Sequence, residues 1–303
     1  MKPTKILCAF AAVMALGAPA AMAQEPSGVL AKIKDNNYIT IGYRESSIPF
    51  SYLDENQKSV GYAMDICLKI VDAVKKELGN DALEVRYAPV TSATRIPLIA
   101  NGTVDLECGS TTNNAERAEQ VAFTNTHYLT ASRFVAKKAS NLNTIEDLKG
   151  KTVVSTAGTT NIKQLNEINT EQGLGMTILP AKDHAEGFLM VETDRAAAFI
   201  MDDILLASLV ASSKDPAAYV IAEPAFSKPE PYGIMMQKGD EAFKKIADDA
   251  TAALYTSPEI QELYKKWFLS PIPPKGLNLN VPLGAPLEKA FATPTSSPNP
   301  DDY

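Results

Sequence analysis

Apolar and polar positions along this chain switch repeatedly between a period of two and a helical period, and the switches predict strands and helices in alternation. Residues 29–36 predict a short amphipathic helix, and residues 38–43 (YITIGY) are β-branched and aromatic enough to predict a strand. Ile66, Ile70, Val71 and Val74 fall at helical spacing and predict a helix over 64–78. A strand over 83–88, a helix over 96–100 and a short buried strand over 103–108 follow. After an extended stretch at 128–134 the order resumes. Strands are predicted over 152–156, 176–179 and 196–201; helices open at 157–161, cover 186–192 and reach Ser212. Strands over 219–222 and 234–237, a helix over 240–255, and one starting at Ser257-Pro258-Glu259 complete the pattern. No tandem repeat of 20–50 residues is present. Strand–helix alternation in two series predicts two α/β lobes. Residues 24–130 with 227–292 would form lobe 1 and residues 131–226 lobe 2, with crossings near 128–134 and 226–232 as the hinge.

Residues 101–120 (NGTVDLECGSTTNNAERAEQ) carry the first chemical signal. Asn101-Gly102 reads as a helix stop, because Gly tolerates the left-handed cap conformation. The strand that follows ends at Gly109, and residues 110–114 are all small and polar. Asn113 then reads as an N-cap with Glu116 three residues on and Arg117 in the first turn. A strand end, hydroxyls, free helix N–H groups and a guanidinium fork together outline a carboxylate site. Two other strand ends repeat the theme, with Arg44 after the first strand and Ser92 and Arg95 after the second. In open α/β sheets ligands gather at the carboxyl ends of strands. Any one of these arginines alone would pass for a surface ion pair; three at one rim point to a ligand.

In the second series, residues 157–161 (AGTTN) open a helix with glycine and hydroxyls. They lack the spacing of a phosphate loop and read as an anion or hydroxyl site at most. The strand over 196–201 ends in Asp202-Asp203, so this rim is acidic where the first is basic. Asp202 reads equally as an ammonium binder and as the N-cap of a helix over 204–210. Glu107, alternating with the apolar residues of its strand, could be a buried acid but reads first as a solvated or ion-paired one.

Composition narrows the function. Lys2 and Lys5, an apolar run over 6–16 and Ala21-Met22-Ala23 match a cleavable export leader over residues 1–23. Its loss takes the formal charge from −7 to −9, a poor balance for nucleic acid or anionic membrane. Cys67 and Cys108 would remain; in an exported protein such a pair most often bridges, the alternative being two buried thiols. The only histidines, His127 and His184, lie far apart without metal-ligand spacing, and no nucleophile motif is present, so neither metal, cofactor nor catalytic triad is expected. Residues 293–303, rich in Pro, Ser, Asn and Asp, are expected to be disordered. Charge complementarity then selects the ligand. One carboxylate would take Arg117 and Thr112, an ammonium would take Asp202, and Arg44 with Arg95 would be left over. Buried unpaired charges are costly, so the surplus cations call for a second carboxylate, as in an acidic amino acid.

The stretches YRESSIPFSY, GYAMDI, TSATRIPLIANGTVDLECGSTTNNAER, STAGTT, AKDH, AAAFIMDD, PYGIM and KWFLSPIPPKGLNLN resemble, as a set covering about residues 29–280, the family 3 periplasmic solute-binding proteins. Within that family they are most similar to the glutamate/aspartate binders of ATP-driven importers. The resemblance implies a two-lobed α/β fold of the type II periplasmic-binding-protein class, with two hinge strands, closing over an amino acid. It implies a monomer in the periplasm whose closed form is read by a membrane permease. Carried over by position, Arg117 and Thr112 match binders of the α-carboxylate, and Asp202 and Ser110 match binders of the ammonium. Arg44, Ser92, Arg95 and His184 match positions around the side-chain carboxylate, and Thr160 matches a contact from lobe 2. Two alternatives share the fold: a periplasmic enzyme of the amino-acid dehydratase type, and a ligand reporter for a chemosensory receptor.

Overall fold

The computed structural model describes residues 27–303; the expected leader lies outside the described residues. The chain begins with α1 (Gly28–Asn36) and β1 (Tyr38–Tyr43), then a small meander of β2 (Ser46–Ser47), β3 (Ser51–Leu53) and β4 (Ser59–Val60). Next come α2 (Tyr62–Leu78), β5 (Glu84–Pro89), α3 (Arg95–Ala100), β6 (Leu106–Cys108), α4 (Ala115–Ala118) and β7 (Val121–Phe123). Strand β8 (Tyr128–Thr130) crosses to the second lobe, which opens with β9 (Ser132–Lys137), β10 (Thr152–Thr156) and α5 (Thr160–Glu171). It continues through β11 (Thr177–Ala181), α6 (His184–Glu192), β12 (Ala198–Asp202), α7 (Asp203–Ser212) and β13 (Tyr219–Ile221). The chain returns along β14 (Glu230–Tyr232) to β15 (Met235–Gln237), α8 (Glu241–Tyr255), α9 (Glu259–Phe268) and α10 (Ala285–Ala292).

Each lobe is built on a five-stranded sheet, ordered β5-β1-β6-β15-β7 in the first and β11-β10-β12-β9-β13 in the second. In both, three parallel strands lie side by side, the fourth strand runs antiparallel to its neighbour in that trio, and the fifth runs antiparallel to the fourth. Parallel neighbours end at the same edge, so β1, β5 and β6 deliver their following loops to one rim and β10, β11 and β12 do the same opposite. The antiparallel pair β8 and β14 forms the two-stranded hinge, with Tyr128 opposite Tyr232 and Thr130 opposite Glu230. An aromatic cluster braces that hinge from lobe 1. The Phe50 ring lies 5.0 Å from Tyr128 and 5.2 Å from Tyr232, and Phe268 stacks on Tyr128 at 5.2 Å. His127 is buried in the same cluster, and burial pushes its imidazole down to about 3, so it stays neutral.

Several elements depart from the pattern-based reading. Strand β6 begins at Leu106 rather than 103, and the N-cap of α4 is Asn114, whose side chain accepts from the Arg117 N–H at 2.9 Å. Helix α10 and the β2–β4 meander were not foreseen, because two- and three-residue strands and an eight-residue helix opening with Pro286 carry too few periods to register. Residues 293–303, expected to be disordered, are laid against lobe 1. The Thr126 N–H donates to the Thr295 carbonyl at 2.8 Å, the hydroxyls of Thr126 and Tyr303 lie 2.7 Å apart, and Asn113 donates to the Ser296 carbonyl at 2.9 Å. Composition registered the low apolar content but not these specific backbone partners.

Cys67 in α2 and Cys108 at the end of β6 form a disulfide that closes a separation of 41 residues. It ties the second helix to the strand that feeds the polar loop at 109–114. Replacing both cysteines by alanine should lower the unfolding free energy by about 4 kcal/mol, the usual effect of opening a loop of this length. Urea denaturation of the two forms would measure it; equal midpoints would show that the bridge adds nothing to stability.

Candidate functional site

The rim of lobe 1 brings three arginines together and buries them. Arg44, just beyond β1, is 1% exposed; Arg95, the first residue of α3, is 2% exposed; Arg117 in α4 is 7% exposed. Arg44 donates from Nη2 to Ser92 Oγ at 2.9 Å. Arg95 donates from Nη1 to the Ser110 carbonyl at 3.2 Å and to Thr111 Oγ1 at 2.5 Å. Arg117 folds back over its own loop and donates from Nη1 to the Thr112 carbonyl at 2.9 Å. Gly109 permits this crowding, since a Cβ there would lie 2.5 Å from Glu107 Oε1 and 2.9 Å from Arg44 Cγ. Burial, with the neighbouring Arg95 next, lowers Arg44 and Arg117 to about 10, and burial lowers Arg95 as well; a guanidinium starts so high that all three stay charged at neutral pH.

Glu107 is fully buried and within ion-pair distance of Arg95, against the solvated reading and in line with the ion-paired one. Its Oε2 accepts from Thr111 Oγ1 at 2.6 Å, and its Oε1 is 4.0 Å from Arg95 Nη1. Among the described residues Arg95 alone of the three arginines comes within ion-pair distance of a carboxylate. The surplus cations are therefore Arg44 and Arg117, with Arg95 shared. Buried donors Arg44 Nε, Arg44 Nη1 and Arg95 Nε have no acceptor within the protein.

Lobe 2 meets this rim with helix starts and a carboxylate. Thr159 caps α5 by accepting from the Ile162 N–H, and Asp183 caps α6 by accepting from Glu186. His184, first in α6, is held between Thr156 Oγ1 at Nδ1 (2.9 Å) and Arg44 Nη2 at Nε2 (3.4 Å). An arginine can only donate, so Nε2 is the accepting nitrogen and Nδ1 carries the proton. Burial, with Arg44 next, holds the ring's pKa well below the usual value and keeps it neutral. Asp202 occupies the backbone N-cap position of α7, but its side chain makes no cap bond. Instead it accepts from Asn161 Nδ2 at 2.8 Å and from the Tyr232 hydroxyl.

The two rims touch directly. Arg117 Nη2 donates to the Gly158 carbonyl at 3.2 Å, and Lys163 pairs with Glu116. Gly158 has φ +78°, and a Cβ there would lie 2.6 Å from Ala93 Cα, so only glycine lets the lobes come this close. Between the rims is a small cavity. Ser92, Arg95, Ser110, Thr112, Thr160, His184 and Asp202 line it, joined by Thr159, Asn161, Met201 and Leu205. Arg44 reaches it through Ser92 and His184, and Arg117 through the Thr112 carbonyl. A larger groove among Lys137, Lys151 and Arg195 opens at the other end of the lobe 2 sheet, away from these groups.

Sequence reasoning missed the floor of the site, which comes from the hinge. Glu230 and Tyr232 are two residues apart in β14 and so point the same way. Glu230 Oε2 accepts from Thr112 Oγ1 at 2.9 Å and Thr160 Oγ1 at 2.8 Å; its Oε1 accepts from Gln164 Nε2 at 2.7 Å. Within the turn at 157–161, read as an anion or hydroxyl site at most, the Thr160 hydroxyl is thus engaged by the protein's own carboxylate. Residues 226–232 read only as a hinge crossing interrupted by prolines at 229 and 231, with nothing to mark Glu230 within it, and the only available signal was its two-residue spacing from Tyr232.

The family described as bacterial extracellular solute-binding proteins, family 3, matches residues 39–270. The L-glutamate/L-aspartate-binding protein of Pseudomonas aeruginosa is 50% identical over 296 residues, 97% of this chain and 98% of that protein. The glutamate/aspartate import solute-binding protein of Escherichia coli is 45% identical over 289 residues, 93% of this chain and 95% of that protein. Among solved structures, the solute receptor for L-cysteine of Neisseria gonorrhoeae superposes with a TM-score of 0.69 at 26% identity, covering 79% of this chain and 93% of that one. The holo ArgBP of T. maritima superposes with a TM-score of 0.66 at 27% identity, covering 78% and 98%. These neighbours share the two-lobed fold.

Burial, and then repulsion from Glu230, raise Asp202 from 3.8 to about 7, against the lowering effect of Asn161 and Tyr232. The folded chain therefore keeps a proton that the unfolded chain releases. The associated stability is full below about pH 4 and is lost as pH rises through about 7. Asp202→Asn should be less sensitive to pH over that window. Urea denaturation of both forms at pH 5 and pH 8, without added ligand, is the check: their stability difference should shift in favour of the variant at pH 8. A difference independent of pH would refute the raised value.

Proposed function

The chain belongs to the bacterial extracellular solute-binding proteins of family 3, and from that premise we propose that it captures L-glutamate or L-aspartate between its lobes and hands it to the membrane permease of an ABC importer. The observation that carries the reading is the meeting of three buried arginines from lobe 1 with Asp202 from lobe 2 around one small polar cavity. Arg117 with the Thr112 loop would take the α-carboxylate. Arg95 and Ser92, backed by Arg44 and His184, would take the side-chain carboxylate. Asp202 and Ser110 would take the ammonium, with Thr160 completing the wall from lobe 2. The fold alone does not choose a ligand, but a basic or uncharged side chain would leave buried guanidinium groups without a partner. Glutamate and aspartate would be separated only modestly, since one methylene is worth about 1–3 kcal/mol in a pocket.

Binding would be coupled to closure. Lobe 1 holds the two carboxylates, whereas Asp202, His184 and Thr160 reach the ligand only when the rims meet. A ligand shifts such an equilibrium by its differential affinity for the two states, so these lobe 2 contacts are the ones that favour the closed form. No chemical step is assigned. His184 is neutral with both nitrogens engaged, and the relatives are named as binding proteins. Export to the periplasm through a cleaved leader over residues 1–23, and action as a monomer, complete the proposal. No helix among the described residues is long and apolar enough to cross a membrane.

Calorimetric titration of refolded protein with glutamate, aspartate, glutamine and arginine tests this directly. One-to-one binding of the two acidic amino acids is expected. Arg117→Ala should weaken every ligand by about 100-fold or more, the usual cost of removing one partner of a buried charge pair. Arg95→Ala should mainly erode the preference for glutamate over glutamine. Equal affinity of the intact protein for glutamate and glutamine would overturn the assignment.

A further inference from the structure

Two strands, β8 and β14, carry the chain between the lobes, and the C-terminal residues meet the chain just before each of them. Ahead of β8 the meeting is on lobe 1. The Thr126 N–H donates to the Thr295 carbonyl at 2.8 Å, and the Thr126 and Tyr303 hydroxyls lie 2.7 Å apart. Asn113 Nδ2 donates to the Ser296 carbonyl at 2.9 Å, and Lys244 Nζ in α8 donates to Ser296 Oγ at 3.3 Å. Just upstream, α10 is seated on the lobe 1 core by buried Leu287, Ala290 and Phe291, and the Phe291 ring lies 5.1 Å from that of Tyr255 in α8. Residues 293–303 therefore move with lobe 1.

Ahead of β14 the same segment reaches the other side. A short 3₁₀ turn at Pro300–Asp302 presents Asp301, and Lys228 Nζ donates to both of its carboxylate oxygens, at 2.8 and 3.1 Å. Lys228 is carried by lobe 2. The Phe226 N–H donates to the Ser132 carbonyl at 3.1 Å, the Ser132 N–H donates to Ser227 Oγ at 2.8 Å, and the Phe226 side chain packs on the lobe 2 core. We propose that residues 293–303 are a strap, a third and non-covalent crossing between the lobes, fastened to lobe 2 through Lys228 and Asp301. The two charges ride on different lobes, so rotation about the β8–β14 pair changes their separation. They meet here with the rims in contact, and a contact made in one state favours that state. The strap thus slows reopening and lengthens the stay of a bound ligand, a consequence that rests on the function proposed above. Both side chains are 67% exposed, and an exposed pair is weak, so the strap tunes the opening rate and does not lock the lobes.

Stopped-flow measurement of glutamate dissociation compares the unaltered protein with Lys228→Asp, with Asp301→Lys and with the protein carrying both changes. Each single change should raise the dissociation rate about threefold, the scale of one exposed ion pair, with association little altered. The double change restores opposite charges and should bring the rate back. Unchanged dissociation in the single variants, or no recovery in the double one, would overturn the proposal. So would a lowered urea midpoint with unchanged dissociation, which would mark a contact that only stabilises the fold. If the unaltered protein does not bind glutamate, the proposed function falls and the strap is read without ligand by hydrogen exchange of the amides at 226–232. These should exchange faster in each single variant and recover in the double one. Equal exchange in all four proteins would overturn the strap itself.

Discussion

Three guanidinium groups withdrawn from water at one edge of a parallel sheet impose the condition that the rest of this molecule meets. Each costs desolvation free energy that only hydrogen bonds and opposite charge can offset. The protein supplies part of that offset. Carbonyls of Ser110, Thr112 and Gly158 and hydroxyls of Ser92 and Thr111 accept from the arginines, and Glu107 stands 4.0 Å from Arg95. Arg44 and Arg117 are left without a carboxylate of their own, and the site is thereby biased toward a ligand that brings two.

The acidic side answers in kind. Asp202 is kept out of water near Glu230, which raises its proton affinity, while Asn161 and Tyr232 favour its charged form. A ligand ammonium would add to the second influence and draw the carboxylate fully into its ionised state. The neutral His184 follows from the same economy of charge: beside Arg44 and deep in the protein, an imidazolium would be a further unpaired cation. In the proposed function one rim would take the ligand's anionic groups and the other its ammonium, and their separation on two lobes would make recognition and closure a single event.

The hinge takes part in both. Strand β14 returns the chain to lobe 1, but its inward side chains serve the cleft, Glu230 through Thr112 and Thr160 and Tyr232 through Asp202. The same Tyr232, with Tyr128 from the facing strand, is locked against Phe50 and Phe268 in the aromatic cluster of lobe 1. Stiff aromatic packing on one side and a short polar network on the other hold a two-stranded connection in register. The Cys67–Cys108 bridge and the packed residues 293–303 brace the same region from lobe 1.

The sequence by itself determined the strand–helix order, the two-series organisation and the residues at strand ends, because each rests on local periodicity and on residue types that recur within a few positions. Arg44, Arg95, Arg117 and Asp202 were legible for that reason, and a charge argument could join them before any coordinates. Only the tertiary structure decided which of them pair. Glu107 read as a solvated, ion-paired or buried acid alike, and packing chose by burying it against Thr111 and near Arg95, which leaves the surplus charge on Arg44 and Arg117. Asp202 could have capped its helix, and packing beside Tyr232 and Asn161 turned its side chain into the cleft instead. Glu230 lies 118 residues from Thr112 and 70 from Thr160, a convergence that no local pattern encodes. Long-range hydrogen bonds of this kind depend on how sheets pack and chains cross, and that is information a linear spacing does not hold.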